Sequence, residues 1–226
     1  MLNCNHQRGQ PRKREHKIGD HNMIINTIIN RRCGLINYDA NTHLKAIYDY
    51  VTATTFTGLA NHFKGLHPEG IKGAVDVHSP DFYEGAKRFA YIAGDSDGGR
   101  VSAVWAILPT GEIATLVKNP GAVVPLDDVF ASIHYHGGKW LFALSTDKLF
   151  ALYTHYGFVP VAWLQWDDSQ APASWDYERY GRPSPAFFVH RYYLTPAECE
   201  TYEAGRHMVP SYDDGVDLVR RLVSRV

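Results

Sequence analysis

With 226 residues, of which 45% are hydrophobic, 13% aromatic and 21% charged, the chain can bury one well-packed domain with tails left over, which excludes a disordered or fibrous class. A net charge of -1 from 23 basic and 24 acidic residues gives no overall attraction to nucleic acid or an anionic membrane, so such a partner would need a local patch. Cys4, Cys33 and Cys199 are widely separated and form no CxxC pair. That spacing suggests neither a disulfide framework nor a metal site, fits a reducing cytoplasmic setting, and is joined by the lack of any run near the roughly 20 apolar residues of a membrane span.

Residues 1 to 22 are polar and basic, with "RKREHK" from Arg12 to Lys17; they read as a disordered tail and are the only candidate contact for nucleic acid. Met23 is an alternative start. Residues 41 to 66 are expected to be helical, because Leu44, Ile47, Tyr48 and Val51 recur on one face behind an Asn41 cap, and a second short helix would carry Phe56, Leu59, Ala60 and Phe63. The following segment, "LHPEGIKGAVDVHSPDFYEG", is rich in Gly, Pro and His and is expected to connect or cover a site; His78, two residues after Asp76, could reach it.

The period then becomes extended. "RFAYIAG", "RVSAVWAIL" and "GEIATLVK", broken at 95 to 99 and 109 to 111, predict a meander of three antiparallel strands. Leu126, Val129, Phe130 and Ile133 mark a helix with Asp127 and Asp128 in its first turn and Gly137-Gly138 past its end. "KWLFAL" suits a buried strand. A helix from about Thr146 to Tyr156 would put Leu149, Leu152, Tyr153 and Tyr156 on one face, with Thr146 as N-cap and Gly157 as the left-handed stop. In "FVPVAWLQW", Pro160 favours an edge strand or a bulge. A loop, a last strand "PAFFVHRYY", and helices around Pro196 to Ala204 and Gly215 to Arg225 complete the chain. The expected class is α+β or α/β: a mixed, mostly antiparallel central sheet with flanking helices, over 23 to 194, plus a C-terminal helical extension over 195 to 226.

Two clusters stand out. His134 and His136 form an H-x-H that would need a third ligand to hold a metal, and their place at a helix C-terminus is favourable by itself, so no metal is expected. In the loop from Asp167 to Ser184 and just before it, Trp166, Trp175 and Tyr177 alternate with Asp168 and Arg182, a mixture that suits a cationic substrate or a basic protein partner, or that lets a long loop cover its own sheet. No GxGxxG, P-loop, HExxH or GxSxG pattern occurs, which leaves dinucleotide, phosphoryl-transfer, zinc-peptidase and serine-hydrolase readings without a motif.

The order of elements, with "LYTHYGF" at 152 to 158 after the last central helix, resembles the GNAT acyltransferase fold. Residues 111 to 190 look like the GNAT-like domains of bacteriophage and mobile-element proteins, through "GEI", "NP", "GG", "LY", "GF", "AP", "WDYE" and "GRP" in that order. The resemblance implies acetyl-CoA or another acyl-CoA in a splay between the fourth and fifth strands. Backbone groups of Thr115, Leu116 and Val117 would hold the pantetheine and thioester. Lys118, Asn119, Gly121 and Ala122 would face the pyrophosphate. Tyr153 would protonate the leaving thiolate, and Glu112 would deprotonate an amine on a protein or small molecule. Such enzymes usually carry Q/R-x-x-G-x-G/A where this chain has "KNPGAVVPLDD", in which Pro120 and Pro125 lack an amide proton and Asp127 and Asp128 repel an anion. Two alternatives follow: a non-catalytic protein of the same fold that grips a host protein through the 167 to 184 loop, and a base modifier of nucleic acid.

Overall fold

The computed structural model describes residues 46 to 49, 51 to 68, 72, 74 to 93 and 100 to 225. The basic tail, Met23, Asn41, Leu44, Cys4, Cys33 and the turn at 95 to 99 lie outside them. The first sheet contains four antiparallel strands in the order β1 (Ala46–Asp49), β2 (Lys87–Ala93), β3 (Arg100–Ile107) and β4 (Ile113–Lys118). β1 corrects the expected helix over 41 to 66: Ala46 pairs with Ile92 and Asp49 with Phe89. Ile47 and Tyr48 are of types that favour strands, and cross-strand pairing outweighs a four-residue helical spacing. Helix α1 begins only at Ala53 and runs to Leu66, capped by Thr52, whose side chain accepts from the Thr55 amide; it buries Phe56, Leu59, Ala60 and Phe63 as expected.

The second sheet holds β5 (Trp140–Leu144), β6 (Phe158–Trp163) and β7 (Pro185–His190), ordered β5-β7-β6 and antiparallel throughout. β6 lies at the end of that order, and its register shifts between Pro160 and Ala162, so the proline sits beside a bulge where its missing N–H does least harm. The far edge of β6 is covered by the chain at 207 to 209, with Trp163 N donating to His207 O at 2.9 Å and Val209 N to Trp163 O at 2.9 Å. The fold is thus α+β, with the expected mixed sheet divided into two antiparallel parts.

Helices complete the layers. α2 (Leu126–Tyr135) and α3 (Asp147–His155) cover one face of both sheets. Between them and the strands lies a core of Phe89, Trp105, Phe130, Ile133, Leu141, Tyr153, Phe158 and Phe188. α1 and the 80 to 83 turn cover the other face of the first sheet. After a short α4 (Tyr177–Tyr180), α5 (Pro196–Ala204) lies beside β6 and α6 (Tyr212–Val223) covers the other face of the second sheet. α6 starts a turn earlier than expected because Ser211 caps it, accepting from the Asp214 amide. It buries Val216, Val219, Leu222 and Val223 against Trp140, Phe187 and Val189, each such side chain contributing about 1.5–3 kcal/mol. Gly157 ends α3 at φ 81° and Gly137 follows α2 at φ 87°, as left-handed stops. Among the described residues no helix is long and apolar enough to cross a membrane.

Candidate functional site

β4 and β5 touch only at their start. Lys139 N and Trp140 N donate to Gly111 O at 2.7 and 3.3 Å, and Glu112 forms a parallel bridge with Trp140. Beyond that point β4 pairs with β3 and β5 pairs with β7, so the two parallel strands diverge and leave a wedge. Two glycines permit the closure. A Cβ on Gly111, which has φ 83°, would meet Lys139 Cγ at 2.7 Å, and one on Gly138 would meet Ile133 Cγ2 at 2.5 Å and Ile133 O at 3.0 Å. These glycines belong to "GEI" and "GG", so a text pattern of the sequence becomes a steric requirement.

A bulge faces the wedge. Val104 pairs with Val117 and Ala106 with Ala114, which leaves Thr115 and Leu116 against Trp105 alone. Thr115 adopts φ 54°, the only positive φ outside glycine among the described residues, at a cost of roughly 1–2 kcal/mol. A chain of hydrogen bonds holds it there. His78 N donates to the Tyr83 hydroxyl at 3.0 Å, the Tyr83 hydroxyl lies 2.6 Å from Thr115 Oγ1, and Thr115 Oγ1 donates to Asp76 O at 2.9 Å. Tyr83 is fully buried, and desolvation raises its pKa above the ordinary value although its bonds to Thr115 and His78 oppose the rise. The His78 ring stacks on Phe82 and stands 3.4 Å from Asp76 Oδ2.

Of the expected backbone contacts, Thr115 and Leu116 form the bulge, whereas Val117 is buried towards α1. The turn after β4 is closed on itself. Ala122 N donates to Asn119 O, Gly121 N to Asn119 Oδ1, and Lys118 Nζ to Ala122 O. A diphosphate bound there would have to displace these bonds. The N-terminus of α2 has Pro125 at the cap position and no side-chain cap. Asp127 is held from across the helix pair: Tyr156, stacked 4.0 Å from Phe130, donates its hydroxyl to Asp127 Oδ1 at 2.8 Å.

Tyr153 lies in α3, 7% exposed, with its ring against Phe130, Phe158 and Phe188. Its hydroxyl has no hydrogen-bond partner among the described residues, and desolvation pushes its pKa up to about 12. It is therefore a neutral phenol whose proton is not engaged.

Glu112 stands at the closed end of the wedge, three residues before the bulge, or about 10 Å along the strand. Its carboxyl is pushed up to about 7, chiefly by desolvation, with Arg220 opposing the rise and Asp76 adding to it. Because the folded value lies above the ordinary 4.5, the stability linked to this group is fully present below that value and is lost as pH rises through about 7. Denaturant melts across that window should show wild-type stability falling relative to Glu112→Gln, and parallel curves would refute the shift. Beside Glu112 is a cavity of about 340 Å³ lined by Trp140 and by Tyr212, Asp213, Asp217 and Arg220 of α6.

The remaining candidates do not converge on the wedge. In the 166 to 184 segment, Trp166 Nε1 donates to Asp168 at 2.7 Å, Arg182 grips Asp168 at 3.0 to 3.2 Å and lies 4.8 Å over the Tyr177 ring. Trp175 is buried, donating to Gly181 O, so this loop packs largely on itself. His134 stacks with Phe158 and meets His190 at 4.1 Å, while His136 Nδ1 lies 2.8 Å from Ser132 O. No metal-holding group of three ligands exists among the described residues. Tyr83 escaped sequence reasoning; the available signal was its place in "DFYEG", next to His78.

No family model matches the sequence, nor does any curated protein. Among solved structures the chain is similar to an acetyltransferase of the GNAT family from Staphylococcus aureus (11% identity, TM-score 0.37, covering 65% of this chain and 98% of that one). It is similar also to a GCN5-related N-acetyltransferase from Rhodopseudomonas palustris (13%, 0.36, 68% and 99%). A third likeness is to FeeM, an N-acyl amino acid synthase from uncultured soil microbes (12%, 0.38, 73% and 96%). Likenesses at this level do not decide a family.

Proposed function

We propose that the chain is an acyl-CoA-dependent N-acyltransferase of GNAT type that acts on an amine by direct transfer. The observation that supports it most is the wedge between β4 and β5 with the Thr115–Leu116 bulge on its β4 wall. A bulge breaks the ladder and leaves backbone N–H groups unpaired, and fixed amides in a closed cleft are suited to polarise a thioester carbonyl. The acyl-CoA supplies the activated acyl group. Glu112, with a carboxyl near neutrality, takes the proton of the attacking amine through a chain of waters, since it stands about 10 Å along the strand from the bulge. Tyr153 keeps its proton to well above neutral pH and delivers it to the departing thiolate.

The nucleotide end of the donor finds less. The 119 to 122 turn uses its amides internally, and Asp127 and Asp128 stand in the first turn of α2. Binding is therefore expected to rest on the pantetheine arm and to be weak for the adenosine diphosphate portion. Calorimetry with acetyl-CoA and with a truncated acetyl-pantetheine is the test. Comparable affinities for the two are expected, and absence of binding to both at millimolar concentration would sink the reading.

A further inference from the structure

On the far side of β7 from the wedge, a cavity of about 510 Å³ opens between α3, β6 and the end of α5, a size within the usual range for small-ligand sites. It is separate from the wedge, because the order β5-β7-β6 sets β6 two strands, or about 10 Å, beyond β5. α3 contributes Asp147, Phe150 and Thr154, which recur at i, i+3 and i+7 and so share one face. Phe150 stacks 6.0 Å from Trp163 of β6, and Tyr202 of α5 extends this aromatic wall. Trp163 is 4% exposed, and its indole Nε1 has no hydrogen-bond partner among the described residues. Arg206 lies over that indole, 4.5 Å from the ring, and is held there by the chain at 207 to 209, which both accepts from and donates to the Trp163 backbone.

The polar groups of the cavity divide by what they still offer. Ser145 donates its hydroxyl proton to Ser184 O at 2.6 Å and Thr154 donates its own to Phe150 O at 2.8 Å, so both present only lone pairs. Glu203 is matched by Arg191 at 3.2 Å. Asp147 and Arg206 have no ion pair among the described residues. What remains is a set of acceptors with one carboxylate on the α3 side, and one guanidinium on the other. An ammonium group has three donors and no acceptor, and a carboxylate only accepts. We infer that this cavity binds a free α-amino acid with an apolar side chain, its ammonium on Asp147 and the Ser145 and Thr154 oxygens, its carboxylate on Arg206, and its side chain against Phe150, Trp163 and Tyr202. A guanidinium fork matches a carboxylate geometrically. One unmatched charge of each sign selects a zwitterion, because a simple amine or a simple acid would leave one of the two without a partner. A peptide carries its two charged ends on different residues and does not present this pair. The inference does not depend on the acyl-transfer reading.

Calorimetry on the full chain tests the idea with three probes that share one apolar body: L-phenylalanine carries both charges, phenethylamine only the positive one and 3-phenylpropionate only the negative one. L-Phenylalanine should bind about tenfold or more tightly than either of the others. Two substitutions separate the ends. Arg206→Gln should abolish the margin over phenethylamine while phenethylamine itself binds no more weakly, and Asp147→Asn should abolish the margin over 3-phenylpropionate while that acid binds no more weakly. Both side chains are exposed, so the melting curves should not move, and a misfolded variant would lose all three probes together rather than give this crossed pattern. Equal affinities for the three probes, no binding of L-phenylalanine at millimolar concentration, or margins that survive both substitutions overturn the proposal. Phenylalanylglycine binding as tightly as L-phenylalanine would overturn it as well.

Discussion

Tyr153→Phe should lower turnover by roughly 100- to 10,000-fold, the usual contribution of a positioned proton donor, while leaving thermal stability unchanged or slightly raised. The two halves of that expectation come from one observation. The Tyr153 ring packs against Phe130, Phe158 and Phe188, and its hydroxyl makes no hydrogen bond to a described residue. Its removal therefore breaks no bond to a described residue. A hydroxyl that serves packing alone would give the same melting curve with undiminished turnover. Scanning calorimetry and steady-state kinetics on the one variant separate these cases. Tyr156→Phe is the contrasting substitution, because that hydroxyl does bond, to Asp127, so its loss should register in stability.

Gly215→Ala should destabilise the protein by about 1–3 kcal/mol, or a fall in Tm of roughly 2–10 °C for a chain of this size. The added Cβ would meet three ring atoms of Phe187 at 2.2 to 2.7 Å. Phe187 cannot give way easily, being fully buried and in contact with the rings of Trp140, Phe142 and Tyr212. The same substitution at Gly58, in α1 and with nothing within 4 Å, should instead stabilise by about 0.5–1 kcal/mol through helix propensity. Opposite signs for one chemical change in two helices would establish that α6 is seated by close contact on β7. Equal signs would mean that α6 floats.

The middle of the chain was legible because its signals were local. Apolar runs placed β2 to β7, Thr146 and Gly157 bounded α3, and Asp127 and Asp128 marked the first turn of α2. β1 was misread, since four residues satisfy a helical period by chance and only pairing with β2 decides the matter. The division into two sheets was likewise invisible to periodicity, which reports faces and not neighbours. Thr115 and Leu116 lie at the β4 bulge, Glu112 at the bridge to β5 and Tyr153 in α3, and their roles there are proposals. Tyr83 and the α6 wall did not emerge, because they reach the site across distances of 32 residues and more. For the aromatic loop, composition allows both expected readings: Trp175 and the Asp168–Arg182 pair pack it on itself, while Tyr177 stays exposed.

The bond chain from His78 through Tyr83 and Thr115 to Asp76 has a consequence for how sequences of this kind vary. A threonine in the left-handed region is not maintained by its own sheet; it depends on anchors that lie in the segment before β2. Glycine at 115 would hold the same backbone without them, whereas a β-branched residue at 115 requires the buried phenol at 83. In homologues, positions 83 and 115 should therefore change together, and the segment with the least readable sequence would drift most slowly at that tyrosine.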